Sequence, residues 1–282
     1  MKRWISTLLC AAVCTMAGAN AAEPEKKDVS LSVGSMILNY MPVPLTQSLG
    51  NFQKEGLNVK VENFQAGGSK ALQALIAGST DAVVGFYDHT IDLQAKGKEV
   101  RAIVVFSHVP GEAELVSTRL PATVEAMRDL RGHTLGVTGL GSSTSFLTRH
   151  LMAQQGLGPG DYTMLPVGAE RSFVNALRNG RIDAGMTTDP TASQLVRNGE
   201  ARVLLDLRTI ESTRAALGGP YPAACLYVQT EWLEAHPDLA TKLARAFVRT
   251  LRYLHRHRAE DIAARMPAEF RHDRQDLYVQ AL

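Results

Sequence analysis

The chain has 282 residues, 45% of them hydrophobic and 21% charged, the make-up of a globular protein of one large domain or two modest ones. Lys and Arg total 30 against 28 for Asp and Glu, so there is no basic surplus to neutralise phosphates and no nucleic-acid partner is expected. Three cysteines are too few for a disulfide scaffold, and low-complexity and collagenous classes are excluded by the same composition.

Lys2 and Arg3 precede an apolar stretch over 4–16, and Ala19-Asn20-Ala21 places small residues where a signal peptidase reads them. Residues 1–21 are therefore expected to be an export signal cleaved near Ala21, which puts the rest of the chain in the periplasm of a Gram-negative bacterium. Its removal takes away Lys2, Arg3, Cys10 and Cys14, leaving a formally neutral chain with Cys225 as its one thiol. Leu9 and Val13, rather than small residues, precede the two lost cysteines, which disfavours a lipid anchor. No later stretch approaches the roughly 20 apolar residues of a span, so stable membrane insertion is not expected.

A β-prone run at 31–36 leads to a helix over 45–55 that carries Leu45, Leu49 and Phe52 and stops at Gly56. Val59 and Val61 alternate with polar neighbours, the period of a half-buried strand at 58–64. Gly67-Gly68-Ser69 opens a helix with Ala71, Leu72, Leu75 and Ile76, closed by Gly78, and 82–86 is again an apolar strand. The same series returns at 134–138, 143–155, 162–167, 171–179 and 184–188. Ala74-Leu75-Ile76-Ala77-Gly78-Ser79-Thr80-Asp81-Ala82 aligns with Ala176-Leu177-Arg178-Asn179-Gly180-Arg181-Ile182-Asp183-Ala184. Ser32-Val33-Gly34-Ser35 faces Thr134-Leu135-Gly136-Val137 at the same offset, and Glu55-Gly56-Leu57 faces Gln155-Gly156-Leu157 at a slightly shorter one. Strands alternating with helices at these lengths form parallel βαβ units, so two similar α/β lobes are expected.

Further strands are expected at 101–107, 114–117, 203–207 and 223–229. From Pro237 a helix carries Leu239, Leu243, Phe247, Leu251 and Leu254 and returns to the first lobe. This divides the chain into a discontinuous first lobe, 28–118 plus 224–282, and a second lobe, 119–223. The crossings are expected near 118–123 and 217–224, with Thr118, Gly218 and Gly219 as hinge positions.

In parallel α/β sheets ligands bind beyond the carboxyl ends of the strands, where helix N-termini point. The richest such place is Gly139-Leu140-Gly141-Ser142-Ser143-Thr144-Ser145, where glycines admit a ligand and N–H and hydroxyl groups donate to an anion. The simpler reading is that Ser142 or Ser143 caps the following helix. Gly67-Gly68-Ser69 is the corresponding place in the first lobe. Asp88 and Asp189 each follow an apolar strand, where a carboxylate either receives an amine or ring N–H or caps the next turn. Two carboxylates facing one cleft repel a bare small anion. Tyr40, Tyr87 and Tyr221 fall at loop positions suited to flank a ligand. The sequence lacks His-Glu-x-x-His, Cys-x-x-Cys and Gly-x-Ser-x-Gly, so no catalytic residue and no metal site is assigned. Gly139-Leu140-Gly141 lacks the third glycine of a dinucleotide fingerprint, no cofactor is expected, and Cys225 reads as core.

The export signal, the repeat, Gly139-Leu140-Gly141-Ser142-Ser143-Thr144, Arg181-Ile182-Asp183-Ala184 and Gly219-Pro220-Tyr221-Pro222 together resemble the periplasmic solute-binding proteins of ABC importers. The resemblance is to the group for sulfonates, taurine, nitrate and thiamine-precursor pyrimidines, and it runs over essentially all of the chain after the signal. It implies the α/β type II periplasmic-binding-protein fold, two lobes with a hinge and a cleft between them. It also implies capture of a small-molecule ligand by hinge closure and delivery to permease and ATPase subunits, with the binding protein itself expected to be a monomer. Carried onto this sequence, the cleft involves Met36, Asn39, Tyr40, Gly68, Ser69, Tyr87, Asp88, Ser142, Ser143, Thr144 and Asp189. The family commonly continues for a further C-terminal helix, whereas this sequence stops at Leu282, soon after Tyr278. The expected function is capture, without catalytic turnover, of a small organic anion or zwitterion of sulfonate or carboxylate type. The alternatives are an enzyme on the same bilobal fold acting on a small anionic or pyrimidine-like metabolite, which export disfavours, and an exported ligand sensor.

Overall fold

A computed structural model describes residues 27–64 and 67–267, with 276, 278 and 279. The expected export signal lies outside the described residues. Strand β1 (Asp28–Val33) buries Val29, Leu31 and Val33 and leads through a 3-10 turn at Leu38–Tyr40 into α1 (Pro42–Ser48). The single helix expected over 45–55 is two. Gly50 takes φ 66°, the left-handed region that favours glycine, and separates α1 from α2 (Asn51–Lys54). This break absorbs the extra length of the first repeat. The chain continues through β2 (Asn58–Asn63), α3 (Gly68–Ile76), β3 (Ala82–Phe86), α4 (Asp88–Ala95) and β4 (Val100–Val105).

Residues 106–111 then cross to a second sheet. There β5 (Glu112–Ser117) is followed by β6 (Thr134–Val137), α5 (Ser143–Gln154), β7 (Thr163–Pro166), α6 (Arg171–Arg178), β8 (Ala184–Thr188), α7 (Thr191–Arg197), β9 (Ala201–Leu207) and α8 (Ile210–Leu217). Residues 218–223 return to β10 (Ala224–Gln229), α9 (Thr230–Ala235), α10 (Pro237–Arg256) and α11 (Ala259–Arg265).

The sheets share one plan, β2-β1-β3-β10-β4 and β7-β6-β8-β5-β9. In each, the three strands of a repeat run parallel, and a strand fresh from a crossing lies antiparallel between the third and the last. This is an α/β molecule of two similar halves. It differs from the sequence reading at one boundary. Residues 112–117 belong to the second sheet, not the first, because the period of an apolar strand reports its burial and not its neighbours. Thr118 is consequently not a hinge residue. It lies past the far end of β5, where its N–H donates to Glu200 O (3.1 Å) and its hydroxyl to Gly199 O (2.9 Å). Gly218 closes α8 in the left-handed conformation, φ 81°, and Gly219 follows it in the return crossing.

Helix α10 covers the first sheet with Leu239, Leu243 and Phe247, as its sequence spacing requires. The Phe247 ring meets Phe52 edge-on at 5.4 Å and Phe106 at 5.1 Å. The second sheet is enclosed by Leu147, Leu151 and Met152 of α5 on one side and by Phe173, Leu177 and Leu195 on the other. Cys225 is fully buried within β10. Among the described residues no helix is long and apolar enough to cross a membrane. Truncating Phe247 to Ala is expected to cost about 3–5 kcal/mol, because the cavity between α10 and the sheet cannot collapse onto two remaining rings. A urea midpoint equal to that of the unaltered protein would contradict this packing.

Candidate ligand-binding cleft

The carboxyl ends of β1 and β3 in one sheet and of β6 and β8 in the other face each other across a narrow cavity of about 20 Å³, room for little more than a water molecule. From the first half, Ser35, Ile37, Tyr40 and Phe86 form one wall, with Tyr40 set edge-on to Phe86 at 5.9 Å. Gly67 and Gly68 complete that wall. A Cβ at Gly34 would lie 2.2 Å from the Gly67 carbonyl carbon, and one at Gly68 would lie 2.4 Å from His89 Cε1. The backbone after β1 thus touches the start of α3, and only glycine allows it.

The second half supplies Thr138, Ser142, Ser143, Thr144, Ala169, Thr188 and Glu112. Ser142 occupies the N-cap position of α5, yet its hydroxyl does not cap the helix. It donates to Gly139 O (2.6 Å) and meets Thr144 Oγ1 at 2.7 Å, while Thr144 Oγ1 accepts from Thr138 N–H (3.0 Å). Ser143 Oγ is buried and interacts with the Tyr221 hydroxyl, but makes no hydrogen bond of normal geometry among the described residues. The loop hydroxyls therefore brace one another, and the first-turn amides of α5 keep their donors for something else.

Asp88 and His89 open α4 at the edge of this space. Tyr221, on the return crossing, donates its hydroxyl to Asp88 Oδ2 at 2.9 Å. His89 Nε2 stands 3.9 Å from Asp88 Oδ1, too far for a hydrogen bond, and both atoms lack other partners. Burial lowers the His89 pKa, against the opposing pull of Asp88, so the imidazole is neutral. Its ring meets Phe146 of α5 edge-on at 6.2 Å, so the two halves touch there, and Asn39 Nδ2 donates to Pro110 O of the crossing at 2.6 Å.

Of the residues expected in the cleft, Tyr40, Gly68, Ser142, Ser143 and Thr144 line the cavity, and Asp88 borders it through Tyr221 and His89. The others do not meet there. Asn39 is taken up by the crossing, and Met36 packs against the hydrophobic core of the first half. Tyr87 packs towards the cluster around Leu93 and Tyr227. Ser69 lies one residue beyond Gly68, far enough round the helix to face an outer groove with Leu72 and Leu140. Asp189 performs the capping role: it accepts from Ser193 N–H (2.9 Å) and pairs with Arg208 Nη1 (3.2 Å), so its charge is consumed within its own half.

Sequence reasoning missed Glu112, Thr138 and Thr188. Glu112 begins an antiparallel strand, and a search confined to the ends of parallel strands passes over it. Glu112 and Glu114 alternate with Ala113 and Leu115 on a strand whose six residues are all buried, so both acids share one face. That pairing was the available signal. Burial, then Asp88 and Glu114, hold Glu112 well above the usual carboxylate range. Burial pushes Glu114 up to about 8, with the Thr148 hydroxyl, 3.2 Å away, opposing it.

Residues 38–261 match the family described as NMT1/THI5 like. Among solved structures, a protein of Bordetella bronchiseptica RB50 is 36% identical with a TM-score of 0.86, over 91% of this chain and 80% of its own. The periplasmic aliphatic sulphonate binding protein SsuA from Escherichia coli shares the fold at 21% identity and a TM-score of 0.64, over 90% of this chain and 84% of its own. The periplasmic nitrate-binding protein NrtA from Synechocystis PCC 6803 does so at 16% and 0.69, over 86% and 66%.

A carboxyl whose folded pKa is raised contributes stability that is complete below its unfolded pKa and is lost as pH rises through the folded one. For Glu114 that window runs from about 4.5 to about 8. The melting temperature should therefore fall between pH 5 and pH 8, and Glu114→Gln should flatten the fall, leaving the part due to Glu112. An unchanged slope in the variant would refute the assignment.

Proposed function

This chain belongs to the NMT1/THI5-like family, and we propose that it is the solute-binding component of an ABC import system, capturing a small organic anion or zwitterion between its lobes. The single observation that carries this reading is the uncapped first turn of α5, which opens on the cavity beside the buried hydroxyl of Ser143. A helix start with free donors and a positive dipole end stabilises an anionic group such as a sulfonate or carboxylate. Ile37, Tyr40 and Phe86 offer an apolar wall to the organic body attached to it. The Asp88 carboxylate bordering the same space argues against a bare inorganic anion.

Capture proceeds by hinge closure about the crossings 106–111 and 218–223. A solute that touches Ser143 and Tyr40 together does so only when the halves are closed, so its binding free energy favours the closed form. The role implies a permease and an ATPase as partners, a periplasmic location after signal cleavage, a monomeric binding protein and no turnover of the solute. Thermal unfolding with a panel of organic sulfonates, carboxylates and pyrimidines tests it. A specific solute at a hundred times its Kd should stabilise the protein by about 2.7 kcal/mol, and by less in Ser143→Ala. No shift with any member of the panel retires the cleft assignment, whereas conversion of a bound compound to product would make the protein an enzyme.

A further inference from the structure

Glu112 faces Thr188 across the β5–β8 pair, and both line the cavity. Its side chain is buried, at 1% exposure, and its Oε2 makes no hydrogen bond among the described residues. No lysine or arginine is among the described residues lining the cavity. The titratable groups that bear on Glu112 are Asp88 from α4, Glu114 on its own strand, and Tyr40 and Tyr221. All are acids. The neutral His89 on the cavity wall adds no positive charge. A buried carboxyl oxygen ordinarily finds a partner inside the protein, and this one has neither a donor nor a cation to answer it.

We propose that Glu112 sets the specificity of the cleft: the captured solute carries a protonated nitrogen that meets this carboxyl, while its anionic group meets the first turn of α5. This rests on the solute-binding reading above and narrows it to zwitterions. Burial and its acidic neighbours hold the Glu112 carboxyl well above the usual carboxylate range, which favours its protonated form. An arriving ammonium replaces that proton: the carboxyl O–H proton leaves to solvent, and the carboxylate accepts an N–H in its place. Capture is thereby coupled to proton release. A solute with a neutral N–H would bind without releasing a proton, and one lacking nitrogen would leave the carboxyl unanswered.

Titration calorimetry of the unaltered chain at pH 7 with matched probes decides the matter: 2-aminoethanesulfonate against ethanesulfonate, and 3-aminopropanoate against propanoate. The amino member of a pair should bind at least about tenfold tighter. Repeating the titration in buffers of different ionisation enthalpy should show about one proton released per amine bound. In Glu112→Gln the preference should shrink to about threefold or less, and proton release should vanish. Because the proton count comes from the unaltered protein, the test survives a variant that fails to fold. Equal or tighter binding of the amine-free member, or binding with no proton released, overturns the role of Glu112 while leaving solute capture standing. Binding by none of the four overturns the cleft reading and this proposal together.

Discussion

The structure depends on how the chain passes twice between its sheets. Residues 106–111 and 218–223 run side by side, joined by Tyr221 N–H to His108 O (2.9 Å) and Ala223 N–H to Ser107 O (3.0 Å). Each crossing delivers an antiparallel strand directly into the sheet it reaches, β5 into one and β10 into the other. Because these strands begin where their parallel neighbours end, the first residue of β5 joins the loops after β1, β3, β6 and β8 at one place. Two backbone hydrogen bonds thus hold the crossings together beside the cavity.

That composition is uneven in charge. The second half offers helix-start donors and hydroxyls, and beside them the carboxyl group of Glu112 with no lysine or arginine among the lining residues. Asp88 is partly answered by Tyr221, whereas Glu112 has only acids near it. A core built for stability alone would satisfy or remove such groups, since leaving them unpartnered is costly.

Much of this architecture was legible in the sequence because it is local or repeated. The pairing of Gly78 with Gly180 and of Asp81 with Asp183 marks equivalent helix-to-strand turns in the two halves, and the spacing from Leu239 to Phe247 marks the face α10 buries. The hydroxyl loop at 142–144 was legible because it lies directly between a strand and a helix. What was not legible needs the order of strands in a sheet. The membership of β5, and with it the place of Thr118 and Glu112, follows only once β8 and β9 are known to flank it. The role of Asp189 was equally hidden, since its partner Arg208 comes from beyond β9 and no local rule connects them.

The insertion of β10 between β3 and β4 has a consequence for how the molecule is made. As the polypeptide emerges from the ribosome, every strand of the second sheet is available by Leu207, in one uninterrupted stretch. The first sheet, begun earlier, keeps a gap between β3 and β4 until residues 224–229 arrive. The half started first is thus finished last, and its contacts span most of the chain, the kind of topology that slows folding. The amino-terminal half therefore cannot complete its sheet until residues 224–229 have been synthesised.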